Sequence, residues 1–320
     1  MTNEKSFITL HSNQNKSIFM TNTFVALNEV QNNERLMNLT LDLVNQHGLA
    51  WSVQKEKLFT QDGRETKSYG IFRSDNGAWL SSMSEHYHTL DNFELAKLLI
   101  FAGQSIEELN IEESNGGLFR EGRKVFIQIP LPNVEIGNAK VTRNLTAINS
   151  HDGSSGVALG TTQTVIACQN TFYRAYRSEG MTRIGHHSTL QSRLEETILN
   201  LESTIQHDQV TIERFRKMLD ITPDIKDIKA IKDILFNVTD ENIPSTRKTN
   251  LMAKFDQCVE IEFAKEGKNL WGLFNGVTRY TNHEMKKNYA NNDKLENVMI
   301  GSGARMNTTA YNRLLHYVAN

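Results

Sequence analysis

Cysteine is nearly missing from this sequence: Cys168 and Cys258 are the only two among 320 residues. Two thiols make neither a disulfide framework nor a four-thiolate zinc site. Proline is scarce as well, at four, which argues against long disordered linkers. No run of about 18 apolar residues occurs, so a membrane-spanning helix is excluded. The first residues lack the basic stretch and apolar core of a secretion signal, and a cytoplasmic protein is the expectation. What is present is a rather polar globular composition. The length suffices for one large domain or two modest ones.

Charge of either sign is plentiful but unevenly placed. Between Ala139 and Arg193 stand six basic residues, Lys140, Arg143, Arg174, Arg177, Arg183 and Arg193, against two acids, Asp152 and Glu179. Residues 267–320 hold seven basic residues against three acids. The rest is acidic, since the whole carries −2. Two cationic stretches in an acidic body make one anion-binding face if folding joins them. If it does not, they are ordinary fluctuations of surface charge.

Residues 1–32 read as an irregular arm. Asn33 is placed to cap a helix to about Gln46, with Leu36, Leu39 and Leu43 on one face and Gly48 as its stop. Strands are expected at Ala50–Val53, Ser68–Arg73 and Ala78–Ser82, the last two joined by the turn Ser74-Asp75-Asn76-Gly77. Asp91 is expected to cap a helix to about Ala102, ended by Gly103. A strand Ile106–Glu113, a turn at Asn115-Gly116-Gly117, and strands Lys124–Pro130, Val141–Ile148 and Ser155–Val165 follow. The result is an α+β class with an antiparallel-leaning sheet and flanking helices over 33–188.

The C-terminal part, 189–320, reads as helical and packed on that core. Leu190, Leu194, Ile198, Leu201, Ile205, Ile212, Phe215 and Leu219 predict one long amphipathic helix of about 45 Å. Thr222-Pro223-Asp224 breaks it and starts another, with Ile225, Ile228, Ile231, Ile234 and Leu235 as an apolar stripe. Further helices are expected from Pro244-Ser245, over Leu270–Met285, and from Thr308.

One segment looks chemical. A strand ends in Asn149-Ser150-His151-Asp152-Gly153, and a second delivers Cys168, Gln169, Asn170 and Thr171 to what reads as a strand-to-helix junction. Asn170 or Thr171 as N-cap would leave free amides for an anion, with Arg174 and Arg177 one turn inside. His151 and Asp152 are either acid–base groups or an Asp-Gly turn. Cys168 is either a nucleophile or a small buried hydrophobe. Glu85-His86-Tyr87-His88 and the His186-His187 pair lack further ligands at telling spacing, so they read as surface histidines and no metal is expected. Gly301-Ser302-Gly303-Ala304-Arg305 offers a glycine-rich turn with an adjacent cation but lacks the lysine and spacing of a P-loop.

The same residues carry a resemblance. Asn149-Ser150-His151-Asp152-Gly153-Ser154, followed by Val165-Ile166-Ala167-Cys168-Gln169-Asn170-Thr171, resembles the central signature of a phage- and plasmid-associated family carrying the domain of unknown function number 932. Phe72-Arg73-Ser74-Asp75 is similar to its Arg-x-Asp turn, and Tyr87-His88-Thr89-Leu90-Asp91-Asn92 to its Tyr-x-x-x-x-Asn element. Gly122-Arg123-Lys124-Val125-Phe126 and Gly301-Ser302-Gly303-Ala304-Arg305 match further pieces. The chain departs from the pattern at Ile166-Ala167, where the family usually has a valine pair. It departs again at Thr162-Gln163-Thr164, where Pro-x-Arg is common. The resemblance implies a soluble protein of phage or mobile-element origin in the host cytoplasm.

Two functions fit. The first is nucleic-acid binding, with single-stranded DNA favoured, during phage recombination or replication. Lys140, Arg143, Arg174, Arg177, Arg183 and Arg305 would meet phosphates, Asn170 the backbone, and Tyr173 and Tyr176 the bases. This needs no cofactor, and a homo-oligomeric ring or filament goes with it. The second is an enzyme on a nucleotide or phosphorylated ligand. His151 and Asp152 would supply acid–base chemistry, Cys168 and Asn170 would line the pocket and Arg305 would neutralise phosphate.

Overall fold

The computed structural model describes residues 34–104, 110–165, 170–172, 181–199, 201–239, 244–285 and 290–319. It is α+β with antiparallel strand pairing. It divides into two compact units that interleave along the chain. Unit 1 takes residues up to Ile129, then Ala147–Val157 and Ile184–Glu202; unit 2 takes Pro130–Thr146, Ala158–Arg183 and Ser203–Asn320. This division does not follow a boundary at 188.

In unit 1, α1 (Glu34–Gln46) packs against α2 (Asn92–Gln104). The helices bury Leu36, Leu43 and Val44 on one side and Leu95, Leu99 and Ile100 on the other. Gly48 stops α1 with φ +66°. Asp91 begins α2 through its carbonyl, which accepts from the Leu95 amide. Its carboxylate is used elsewhere, accepting the Val53 amide at 2.8 Å. A three-stranded antiparallel sheet follows the order β1 (Val53–Phe59), β2 (Glu65–Arg73), β3 (Trp79–Ser84). Gly77 turns the β2–β3 connection with φ +68°. The β1–β2 hairpin was not anticipated, because Val53–Phe59 is mostly half or fully exposed and carries two lysines and a glutamate.

A six-stranded sheet runs β4 (Asn115–Phe119), β5 (Lys124–Ile136), β6 (Ala139–Ser150), β7 (Val157–Val165), β8 (Asn170–Phe172), with β9 (Met181–Ile184) also on β7. Three expectations are corrected here. Residues 111–113 are turn, not strand. Asn115-Gly116-Gly117 is strand, not turn. Glycine is required there because a Cβ on Gly116 would sit 2.7 Å from His47 Cγ. Asn170 caps no helix; it pairs with Val165 in an antiparallel ladder.

In unit 2, helices α4 (Leu201–Met218), α5 (Ile225–Phe236), α6 (Thr246–Glu266), α7 (Leu270–Arg279), α8 (Asn291–Met299) and α9 (Ser302–Val318) dominate. α3 (Leu190–Leu199) belongs to unit 1. The long helix expected over Thr189–Leu219 is thus described as α3 and α4, with residue 200 outside the described residues. Ala139 and Val141 of β6 join Ile212, Phe215, Phe255, Trp271, Phe274 and Tyr311 in one core. Phe215 is its hub, with ring centroids 4.9 Å from Trp271 and 5.4 Å from Phe274.

Asp224 caps α5 in a reciprocal capping box with Asp227. The apolar stripe is split: Ile231 is buried and Ile228 and Leu235 pack against the core, but Ile225 is 78% exposed and Ile234 45%. α7 ends in a π turn over Tyr280–Glu284, closed by the Met285 amide on the Tyr280 carbonyl. The last helix starts at Ser302 rather than Thr308.

Candidate functional site around His151 and on the unit surfaces

His151 sits at the end of β6, where Gly153 (φ +67°) turns the chain toward β7. Its backbone is held on both sides. The amide donates to the Arg123 carbonyl at 2.8 Å, and the carbonyl accepts from Ser81 Oγ at 2.9 Å. Asn92, fully buried at the start of α2, donates its Nδ2 to the carbonyls of Leu49 and Trp51. That fixes Asn92 Oδ1 as an acceptor facing His151 Nε2 at 3.0 Å. The imidazole is therefore the Nε2–H tautomer. Its Nδ1 lone pair is buried without a partner. The Trp51 ring packs edge-on at 5.4 Å.

Asp152 is a turn former. Its Oδ1 accepts from Ser150 Oγ at 2.7 Å and from the Ser154 amide at 3.0 Å, and also from Ser154 Oγ. Burial pushes this carboxyl upward, but the hydrogen bonds from Ser154 and Ser150 outweigh it and hold it below the usual range. Burial pushes His151 down to about 3, with the nearby His186 adding to the effect. A fully buried imidazole that stays neutral to so low a pH is a poor general base near neutrality.

The histidine motifs 85–88 and 186–187 meet in this unit. His186 Nδ1 donates to the His88 carbonyl at 2.7 Å, and the His88 amide donates back to the His186 carbonyl. The Tyr87 ring stacks on His186 at 4.8 Å while its hydroxyl donates to the Ser150 carbonyl. His186 is 6% exposed, so it is not a surface histidine. Residues 85–88 are turn and irregular chain, so His86 and His88 share no strand face. Among the described residues no three His, Cys, Asp or Glu side chains converge as a metal site.

A tight loop, Phe119–Arg123, lies beside this knot. Arg120 (φ +49°) and Glu121 (φ +61°) hold left-handed backbone without being glycine. Arg73 clamps it, donating to the Glu121 carbonyl at 3.0 Å while pairing with Asp75 and lying 4.3 Å over the Trp51 ring. Arg123 lies 5.4 Å over the ring of Trp79, which is 51% exposed.

The unit 2 candidates behave differently. Alternation along β6 sends Ala139 and Val141 into the core and turns Lys140, Thr142 and Asn144 to the opposite face. Lys140 is exposed. Arg143 faces the core side, where its guanidinium meets Asp208 at 3.0 Å and the Pro132 carbonyl at 3.0 Å. It is therefore neutralised within the fold and is corrected out of the phosphate contacts. Arg183 and Arg305 are exposed, and neither has an ion-pair partner among the described residues. Asn297 fills the start of α9, accepting the Gly303 amide at 3.2 Å and the Ser302 hydroxyl at 2.7 Å. The glycine-rich turn is thus a capped helix start rather than an open phosphate cradle. Cys168, Tyr173, Arg174, Tyr176 and Arg177 lie outside the described residues; Asn170 is a β8 residue whose side chain is likewise outside them.

A model of the family described as Domain of unknown function (DUF932) matches residues 79–314. The chain belongs to this family. Searches of curated proteins and of solved structures find no match. Within the DUF932 chain, pieces of the resemblance that stand far apart in sequence meet in unit 1. Arg73 and Asp75 brace the loop that ends in Arg123; Asn92 and Arg123 hold His151; Tyr87 holds Ser150; Asn149 donates to the Leu90 carbonyl at 2.9 Å. Asn92, Asn149, Ser150 and His151 are all fully buried. In this DUF932 domain the Asn149-Ser150-His151 part of the central signature is an internal polar knot. Its outer rim carries the Trp79–Arg123 pair, which sequence reasoning missed. An exposed Trp opening a strand after an Asn-Gly turn was its one available signal.

Proposed function

We propose that this protein binds nucleic acid, with single-stranded DNA as the favoured form. It would act in phage or mobile-element recombination or replication in the host cytoplasm, as a homo-oligomer. The observation that carries this reading is the solvent face of β6. Lys140, exposed and without an ion-pair partner among the described residues, shares that face with Thr142 and Asn144. A cation beside hydroxyl and amide donors suits a sugar–phosphate backbone. Arg183 and Arg305, exposed in the same unit and equally unpaired, extend the cationic supply. Among the described residues no helix is long and apolar enough to cross a membrane. An enzymatic role for His151 gains no support from an imidazole that is 0% exposed.

A salt titration tests the reading. Each phosphate neutralised on a single strand steepens the fall of log K with log salt by about 0.7. With Lys140, Arg183 and Arg305 engaged, the expected slope for a thymidine oligonucleotide is about −2. Lys140→Ala with Arg183→Ala should flatten it to about −0.7. Binding that ignores salt, or no binding at low salt, refutes the proposal.

A further inference from the structure

We propose that Trp79 with Arg123 forms a stacking site in unit 1 for one unpaired nucleobase and its phosphate. This rests on the nucleic-acid reading above but uses residues of the other unit. Trp79 is 51% exposed, whereas Trp51 and Trp271 are 6% and 2% exposed. It opens β3, which among the described residues is an edge strand of its sheet. The Arg123 guanidinium lies 5.4 Å over the indole. A half-exposed indole beside a guanidinium suits a planar ligand bonded to an anion, the ring offering stacking surface and the guanidinium donors.

The placement of Arg123 is built rather than incidental. Its amide donates to the Arg120 carbonyl at 3.2 Å, and its carbonyl accepts the His151 amide at 2.8 Å. The preceding Gly122 (φ +102°) has no room for a side chain, since a Cβ would lie 2.9 Å from Trp51 Cζ2. Arg73 fixes the Glu121 carbonyl at 3.0 Å. Two non-glycine residues in left-handed backbone are thereby over-determined by their surroundings, the condition under which strain persists at ligand sites. Arg120 is exposed on the same loop, with Glu121 its one acid.

The chemistry selects the ligand class. A flat ring bonded to an anion is a nucleotide unit. A duplex keeps its base faces stacked inside, so only an unpaired strand can offer one to Trp79. A free mononucleotide has the same groups, and the test separates the two.

The experiment uses the full chain and follows tryptophan emission while a thymidine oligonucleotide is added. Anisotropy of a labelled copy reports binding independently. Expected results are quenching on binding, no quenching signal in Trp79→Phe with affinity largely kept, and binding weakened about 5- to 150-fold in Trp79→Ala. Arg123→Ala should fall between. Thymidine monophosphate should quench only at far higher concentration, and a blunt duplex should not quench. If Trp79→Ala fails to fold, judged by circular dichroism, wild-type quenching and its loss in Trp79→Phe decide alone. Salt-dependent binding without quenching, and with Trp79→Ala equal to wild type, overturns this site and leaves the β6 reading standing. Quenching by the mononucleotide as strong as by the oligonucleotide overturns the strand assignment. Absence of binding to any oligonucleotide overturns both proposals.

Discussion

At the scale of residues, His151 shows how one amide sets the state of a ring. Asn92 spends both its N–H groups on carbonyls, so its oxygen selects the imidazole tautomer. The fold keeps this ring neutral down to about pH 3, whereas in the unfolded chain it takes a proton below about 6.5. The unfolded state therefore binds more protons between these values. Stability is full above about pH 6.5 and is lost as pH falls toward 3, by up to about 1.4 kcal/mol per pH unit. Burial depresses His186 and His47 in the same direction. Urea unfolding at pH 7.5, 5.5 and 4.5 should show this decline, and His151→Gln should make it shallower. Equal slopes in the two proteins would contradict the assignment. The Asp-Gly turn after His151 was legible in the sequence, because the turn is local. The burial was not: Asn92 lies 59 residues away, and no spacing rule connects the two.

At the scale of elements, several caps and stops are legible because each acts within one turn, but Asn170 and Thr308 start no helix and Gly103 lies inside α2 rather than ending it. Gly48, Asp224 and Ser245 all end or begin helices as their chemistry directs. Periodicity misled where it met no partner, as with Ile225 and Ile234 of α5. Glycine misled at Gly116, where absence of a side chain serves His47 rather than a turn. The same distinction gives a prediction for α7. Alanine in place of a helical glycine ordinarily gains about 1 kcal/mol. A Cβ on Gly276 would stand 2.7 Å from the Val259 Cα, a backbone atom of α6 that does not rotate away. Gly276→Ala should therefore destabilise the protein, by about 1–3 kcal/mol. A urea midpoint at or above wild type would show that the helices separate without cost.

At the scale of the molecule, the α+β class was legible because class follows from element types, but the partition was not. Pro130–Thr146 and Ala158–Arg183 fold with Ser203–Asn320, while Ile184–Glu202 folds with the N-terminal residues. Nothing local in β6 announces that Ala139 and Val141 pack against Ile212 and Phe215. A fragment of residues 203–320 thus lacks part of its own core. It should show helical circular dichroism but no cooperative thermal transition; a sharp transition would mean the strands are dispensable. The interleaving also sets an order of events on the ribosome. Unit 1 has all its residues once Glu202 has emerged, whereas β6 must wait for aromatic partners as late as Tyr311. At roughly 5–20 residues per second, that delay is on the order of 5–20 s. Throughout it, the apolar face of that strand is only partly covered, by Ile212 and Phe215 first and the later aromatics last, so demand for a holdase chaperone should peak in the last third of translation.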